Sequence, residues 1–195
     1  MIMDKEQRKV VIEGCYHEMG HIIANMIFFP NDNNRIQGIS FSRAGKGHPY
    51  RLSVNLNEFQ WSLPSQLEAC IMTNISGGIF QQMKTIYNRF RCILDKLSDS
   101  NLEIFFQKVI KSQVSGMEED LKEIKRVHSI AALYGKVSDN LDLEKEKVKA
   151  IHILIPFLKD ERIDNLVTFY VGMIEQQCNL VDNISIDFAT IKTYF

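Results

Sequence analysis

The sequence predicts a mainly α fold with a small β-sheet, an α+β domain. Apolar residues recur at helical spacing over most of the 195 residues. Between residues 35 and 57 the pattern changes to two short runs of strand type around a turn, Gly45-Lys46-Gly47-His48-Pro49. No internal repeat or domain linker divides the chain. We therefore expect a single domain over residues 1–195, which is long enough to form one core.

The N-terminal elements follow in order. A first helix is predicted over residues 4–29, because Pro30 and the turn-rich residues after it end the helical pattern. Two short strands are predicted at residues 36–41 and 52–56. Helical spacing returns near Pro64, and Gly77-Gly78 interrupts that helix. The paired glycines indicate close packing against another backbone, or an ordinary helix break.

The second half of the chain is predicted to be helical. Helices are expected near residues 100–110 and 117–134, the first capped at Ser98-Asp99. Residues 141–195 predict three more helices. Pro156 should kink or end the first of these, and Ser185 or Asp187 should cap the last.

Composition excludes some classes of function. A net charge of −1 gives no electrostatic case for binding nucleic acid or an anionic membrane. No signal peptide or membrane span is visible, so we expect a soluble, cytoplasmic protein. The cysteines, which form no C-x-x-C pair, are interpreted as reduced core residues of an intracellular protein: Cys15, Cys70, Cys92 and Cys178. As an alternative, Cys15 contacts the site described next, although on a helix it points away from His17.

The motif that carries chemistry is His17-Glu18-Met19-Gly20-His21, which matches H-E-x-x-H. Residues four apart lie on one face of a helix, so both imidazoles can bind one zinc ion. Glu18 is rotated by about 100° and can take a proton from a metal-bound water. The surrounding helix is largely apolar and therefore buried, and buried histidines need partners. Two hydrogen-bonded core histidines with a surface glutamate are the alternative.

A catalytic zinc ion needs a third protein ligand and an open position for water. The residues themselves leave this ligand undecided among histidines and carboxylates elsewhere in the chain: His48, His128, His152, Glu118, Glu119 and Asp120.

Four segments resemble the FtsH-type zinc metalloproteases. Residues 15–24 are similar to the active-site helix of that family, and residues 36–45 to the strand before its Pro-Arg-Gly turn. Residues 75–82 resemble its Gly-Gly helix, and residues 116–121 resemble its Gly-x-x-Asn-Asp-Leu segment. The resemblance is clearest over residues 8–135, and residues 141–195 share only helical character.

The resemblance implies an FtsH-type helical zinc-peptidase domain and a zinc metalloendopeptidase. It nominates Asp120 as the third metal ligand beside His17 and His21, with Glu18 catalytic. The family has paired glutamates where this chain has Gln81 and Gln82. These glutamines can still accept a hydrogen bond from an imidazole N–H, without a charge.

Substrates and partners follow as expectations. The chain has no G-x-x-x-x-G-K-[ST] loop, so it resembles the peptidase domain without the ATPase module. We expect it to hydrolyse unfolded proteins or peptides, alone or with a separate unfoldase, and homo-oligomers are possible because the family forms rings. An extended substrate is predicted to pair with the strand edge at Ile39, Ser40 and Phe41. The alternatives are an inactive protein-binding or regulatory module and a structural metal site closed by a fourth ligand.

Overall fold

The structure is a computed structural model that describes residues 3–30, 36–42, 51–56, 64–111, 117–133, 141–177, 183–187, 190–191 and 193. These residues form six α-helices and three β-strands, in agreement with the predicted mainly helical class. The elements are α1 (Lys5–Phe28), β1 (Ile36–Ser42), β2 (Arg51–Leu56), α2 (Pro64–Leu94), α3 (Asp99–Val109), α4 (Glu118–Leu133), α5 (Leu143–Leu154), α6 (Glu161–Gln177) and β3 (Asn183–Asp187).

Helix α1 is the central element of the fold. Asp4 caps it: its carboxylate accepts from the backbone N–H of Gln7 at 2.8 Å, and the Gln7 side chain accepts from the Asp4 N–H at 3.0 Å. This reciprocal pair satisfies two of the N–H groups that a helix start leaves open. Every residue from Cys15 to Asn25 is buried. The predicted apolar, buried helix is therefore confirmed, with its ends within one residue of the expectation.

Helices α1 and α2 pack at close range through glycines. A Cβ on Gly20 would overlap the backbone carbonyl of Ser76. Helix α2 runs without a break through Gly77-Gly78, and its one non-helical residue is Phe90, at φ −119° and ψ 23°. The predicted interruption at the two glycines is therefore wrong. The backbones of α1 and α2 do approach closely, since a Cβ on Gly20 would lie 2.9 Å from the Cα of Gly77. The space beside Gly77 and Gly78 themselves is taken by side chains, those of His17 and His21 at Gly77 and that of Met117 at Gly78, rather than by the predicted backbone.

The sheet has the order β2-β1-β3, with both pairs antiparallel. Strand β1 is thus central: Ile39 lies opposite Val54 on one side and Ile186 on the other. From Gly38 to Ser42 its backbone is paired on both sides, so this described part of β1 leaves no edge for a substrate. The predicted pairing of a substrate with Ile39, Ser40 and Phe41 is therefore wrong.

The C-terminal part differs from the prediction in one element. Pro156 lies in a 3₁₀ turn, Ile155–Phe157, that ends α5, as predicted. Ser185 and Asp187, which were predicted to cap the last helix, lie in strand β3. The sequence Asn183-Ile184-Ser185-Ile186-Asp187 alternates polar and apolar residues with the period of a strand. This alternation is the signal that the helical interpretation overlooked.

Helix α6 joins this C-terminal part to the rest of the core. The Tyr170 hydroxyl donates to the backbone carbonyl of Ile39 at 2.8 Å. Among the described cysteines, Cys15 and Cys70 are buried as expected, whereas Cys92 is exposed near the end of α2 and is not a core residue. Cys178 lies outside the described residues. Within the ranges that the structure describes, none of the helices combines the length and apolar character needed to cross a membrane.

Candidate metal centre

Two histidines of α1 face the same point. His17 and His21 lie one helical turn apart, and their ring centroids are 4.8 Å apart with the ring planes at 79°. Each residue is 9% exposed. The i,i+4 spacing produces this arrangement directly, because such residues share one face of a helix.

Helix α4 brings the third group. Asp120, in its first turn, places Oδ2 at 3.0 Å from His17 Nε2 and Oδ1 at 3.7 Å from His21 Nε2. One ligand atom from each of the three residues lies within 4.8 Å of the others. The aspartate nominated by the resemblance is thus the one that meets both histidines.

The other candidates for a third ligand lie elsewhere. Glu118 and Glu119 are exposed, and Glu119 pairs with Lys122 at 2.6 Å. His152 is exposed and pairs with Glu103 at 3.2 Å. His128 is buried further along α4, outside the cluster. His48 lies outside the described residues.

The Nδ1 atoms of His17 and His21, which point away from Asp120, determine the orientation of the two rings. His21 Nδ1 lies 2.8 Å from the backbone carbonyl of Thr73, and His17 Nδ1 lies 3.2 Å from the Gln81 Oε1. A carbonyl only accepts, so Nδ1 carries the hydrogen in each neutral ring. Each Nε2 then keeps its lone pair directed at Asp120, which is the tautomer that a metal ligand requires.

The carboxylate of Asp120 needs a further partner. Its Oδ2 is buried and has no hydrogen-bond partner among the residues that the structure describes. With His17 in the tautomer just described, two acceptor atoms face each other at 3.0 Å, which is unfavourable unless a cation or a proton lies between them. Two imidazoles and one carboxylate are a donor set that zinc accepts. The residues present therefore fit a zinc ion.

The same cluster changes the acidity of His17. Burial alone lowers the pKa of His17, but the hydrogen bond that the protonated ring donates to Asp120 and the charges of Glu18 and Asp120 raise it, and the net pKa lies above the ordinary value. In the metal-free protein a proton can thus occupy the position that a cation would take. A proton and a metal ion therefore compete for the position between His17 Nε2 and Asp120 Oδ2.

Gly77 makes room for both ligand nitrogens. A Cβ on Gly77 would lie 2.5 Å from His21 Nε2 and 2.9 Å from His17 Nε2. The neighbouring Gly78 receives the fully buried side chain of Met117, the residue before α4. Gly77 therefore leaves space for the ring nitrogens of His17 and His21. Gly78 leaves space for Met117, at the start of the helix that carries Asp120.

Glu18 lies inside the protein beside the two histidines, with 6% of its surface exposed. Its charge contributes to the raised pKa of both His17 and Cys15. Burial, followed by the charge of Glu18, raises the pKa of the Cys15 thiol to about 12. Cys15 is therefore a protonated core thiol at neutral pH, and it is not among the clustered ligand atoms.

Two sets of predicted residues do not reach the centre as expected. Ile39 is buried in the central strand, and its backbone is paired on both sides. Gln82 forms two hydrogen bonds with the backbone of Lys111, at 2.9 and 3.1 Å, so of the two glutamines it is Gln81 that contacts a candidate ligand, His17. Residues one apart on a helix point in different directions, which separates the two glutamines.

The sequence does not reveal one contributor to the centre. Thr73 acts through its backbone carbonyl, and such a role leaves no mark on residue type. Gly77 did carry a signal, since the glycine pair indicated close packing. The chain matches no protein-family model and no curated protein.

Proposed function

We propose that this protein is a zinc-dependent metallopeptidase of FtsH type, in which His17, His21 and Asp120 hold the ion and Glu18 is the catalytic base. The observation that carries the proposal is the Asp120 carboxylate. It meets both histidines, yet within the described part of the chain its buried Oδ2 has no hydrogen-bond partner. A cation completes this site without leaving a buried charge unpaired.

The residues divide the chemistry among them. A bound zinc ion supplies a Lewis acid that polarises the scissile carbonyl and makes an attacking water more acidic. Glu18 takes the proton from that water and delivers it to the leaving amine. Thr73 and Gln81 hold the rings of His21 and His17 in the tautomer that leaves Nε2 free. Hydrolysis by this route needs no covalent intermediate with the protein.

The relative positions of three segments support the FtsH-type interpretation. That resemblance implied a metal helix, a helix with a Gly-Gly pair, and an aspartate near the start of a later helix. Here α1, α2 and α4 contribute those features to one cluster. By the same resemblance, the proposed substrates are unfolded proteins or peptides, and a cytoplasmic location remains a prediction.

One observation favours a second function, a protein-binding or regulatory module that retains the metal. Gln81, rather than a carboxylate, supports His17. A neutral acceptor makes the imidazole a weaker donor to the ion than a charged one does. Such a site would hydrolyse peptides slowly or not at all, but the bound metal would still hold α1 and α4 together.

Glu18→Gln separates the two functions. Zinc content and cleavage of casein are measured in the wild type, in Glu18→Gln and in Glu13→Gln, a matched control five residues earlier on α1. The peptidase predicts that Glu18→Gln keeps zinc and loses cleavage by about 100-fold or more, since general base catalysis contributes that much. Glu13→Gln should cleave normally. Zinc-loaded wild type without turnover would favour the binding module, and wild type that takes up no zinc would overturn both.

A further inference from the structure

A second buried polar cluster lies beside the metal centre. Lys84 of α2 has no exposed side-chain surface, and its Nζ lies 2.5 Å from Asp164 Oδ1 and 3.0 Å from the backbone carbonyl of Leu158. The ammonium also lies 5.4 Å from the ring centroid of Tyr16 and 5.8 Å from that of Tyr87. We call these residues, with Asn88, the Lys84 cluster.

The same carboxylate oxygen that binds Lys84 also binds α1. The Tyr16 hydroxyl donates to Asp164 Oδ1 at 3.0 Å and accepts from Asn88 Nδ2 at 3.3 Å. A single oxygen on α6 therefore joins α1 through Tyr16 and α2 through Lys84. Charge-assisted bonds of this kind are stronger and more directional than neutral ones.

The position of this junction along the two helices is the key point. Tyr16 immediately precedes His17, and Lys84 lies three residues after Gln81. His17 and Gln81 contact each other across the two helices, with His17 Nδ1 at 3.2 Å from the side-chain carbonyl oxygen of Gln81. The register of α1 against α2 at this level thus decides whether Gln81 can hold the tautomer and orientation of His17.

We propose that Asp164 of α6 is a positioning residue for the metal centre, acting through Tyr16 and Lys84 on the His17–Gln81 contact. The proposal rests on the metal site of the proposed function. It gives the C-terminal part of the chain a role at a site to which it contributes no ligand. Groups that orient a metal-binding imidazole affect metal affinity even when they never touch the ion.

The variants are Tyr16→Phe, which removes one hydroxyl, and Asp164→Asn, which keeps the shape and removes the charge. Glu161→Gln is the control. It lies in the same first turn of α6, is exposed, and pairs with Arg91 at 3.4 Å. Zinc affinity is measured by competition with a chromophoric chelator, at a temperature well below the thermal unfolding midpoint of each variant. We expect about tenfold weaker zinc binding in both variants and no change in Glu161→Gln.

A second readout needs no metal. In the metal-free chain, ¹⁵N NMR of the imidazoles, at a pH where both rings are neutral, reports which nitrogen carries the hydrogen. Wild type and Glu161→Gln should show His17 with its hydrogen on Nδ1, and Tyr16→Phe should show a mixture, with His21 unchanged. A purely structural role would lower the unfolding midpoint and leave both this spectrum and the zinc affinity of the folded chain unaltered.

The outcomes are distinguishable. Tyr16→Phe with wild-type zinc affinity and a wild-type His17 spectrum overturns the positioning role and leaves the metal site intact. A wild type that does not bind zinc removes the metal centre itself. If Asp164→Asn does not fold, Tyr16→Phe decides alone, because it leaves the Lys84–Asp164 pair in place.

Discussion

Two buried charged clusters lie next to each other along α1 and α2, one completed by Asp164 of α6 and the other by Asp120 of α4, and they differ in one respect. In the Lys84 cluster the ammonium meets a carboxylate, a carbonyl and two aromatic faces. In the candidate metal centre, Asp120 meets two imidazoles, and none of the described residues offers a hydrogen bond to its buried Oδ2. The first cluster is complete with the protein's own groups. The second is complete only when a proton or a cation is added.

This difference teaches how to separate a structural cluster from a binding site. Burial and charge are common to both, so neither property identifies a site by itself. The match between hydrogen-bond donors and acceptors does identify a site. A buried cluster with unmatched acceptors is costly to fold, so it indicates that a ligand or a proton supplies the missing partner. Three predictions test this comparison.

The largest expected effect is on the stability of the metal-free protein. Asp164→Ala leaves Lys84 fully buried without its counter-charge, so we expect a loss of about 3 kcal/mol in the free energy of unfolding. Asp120→Ala, measured at a pH where His17 is neutral, should change that energy by less than about 1 kcal/mol, because it removes a group that is already unsatisfied. Urea unfolding with EDTA present gives both values. Equal losses in the two variants would contradict the comparison.

The next effect concerns the space at the ligand nitrogens. Gly77→Ala places a methyl group 2.5 Å from His21 Nε2, and the rings can avoid it only by turning away from Asp120. Zinc affinity should then fall by about 100-fold or more, since misplaced partners of a metal ligand already cost that much. In Gly172→Ala the new methyl meets nothing within 4 Å, and this helix position should gain up to about 1 kcal/mol of stability with unchanged zinc affinity. Isothermal titration with zinc measures the affinities, and an unaffected Gly77→Ala would argue against the centre.

The smallest effect separates the two glutamines. Gln81→Leu removes the acceptor of His17 Nδ1, so we expect about tenfold weaker zinc binding. Gln82→Leu removes only the contacts with the backbone of Lys111, and zinc binding should stay at the wild-type value. Chelator competition under identical conditions compares them. Equal weakening in both variants would mean that the loss comes from α2 packing rather than from His17.

The edge of the sheet shows where sequence patterns were insufficient. Residues 36–41 predicted a strand, and that strand exists as part of β1. Its use as a substrate edge depended on having a free side, and β3 occupies that side. Pairing between strands about 145 residues apart is set by tertiary contacts, so local periodicity could not exclude the edge. The alternating Asn183–Asp187 segment could have warned of a third strand.

Local chemistry made much of the molecule predictable. Helix α1, its start at Asp4, and the shared face of His17 and His21 depend on contacts within four residues, which the sequence records directly. The helical class, the two N-terminal strands and the turn at Pro156 were readable for the same reason. These features could be predicted without knowing which helices and strands pack against each other.

Tertiary structure alone decided how the centre is completed. By residue type, Asp120 was one of six possible third ligands, and only the packing of α4 against α2 brings it, and not Glu118 or Glu119, to the histidines. The support from the Thr73 carbonyl, the separation of Gln81 from Gln82, and the junction at Asp164 all join residues 29 to 148 positions apart. Such contacts depend on the mutual placement of helices. The sequence by itself therefore determined a buried helix with two histidines on one face, and the fold determined which groups surround them.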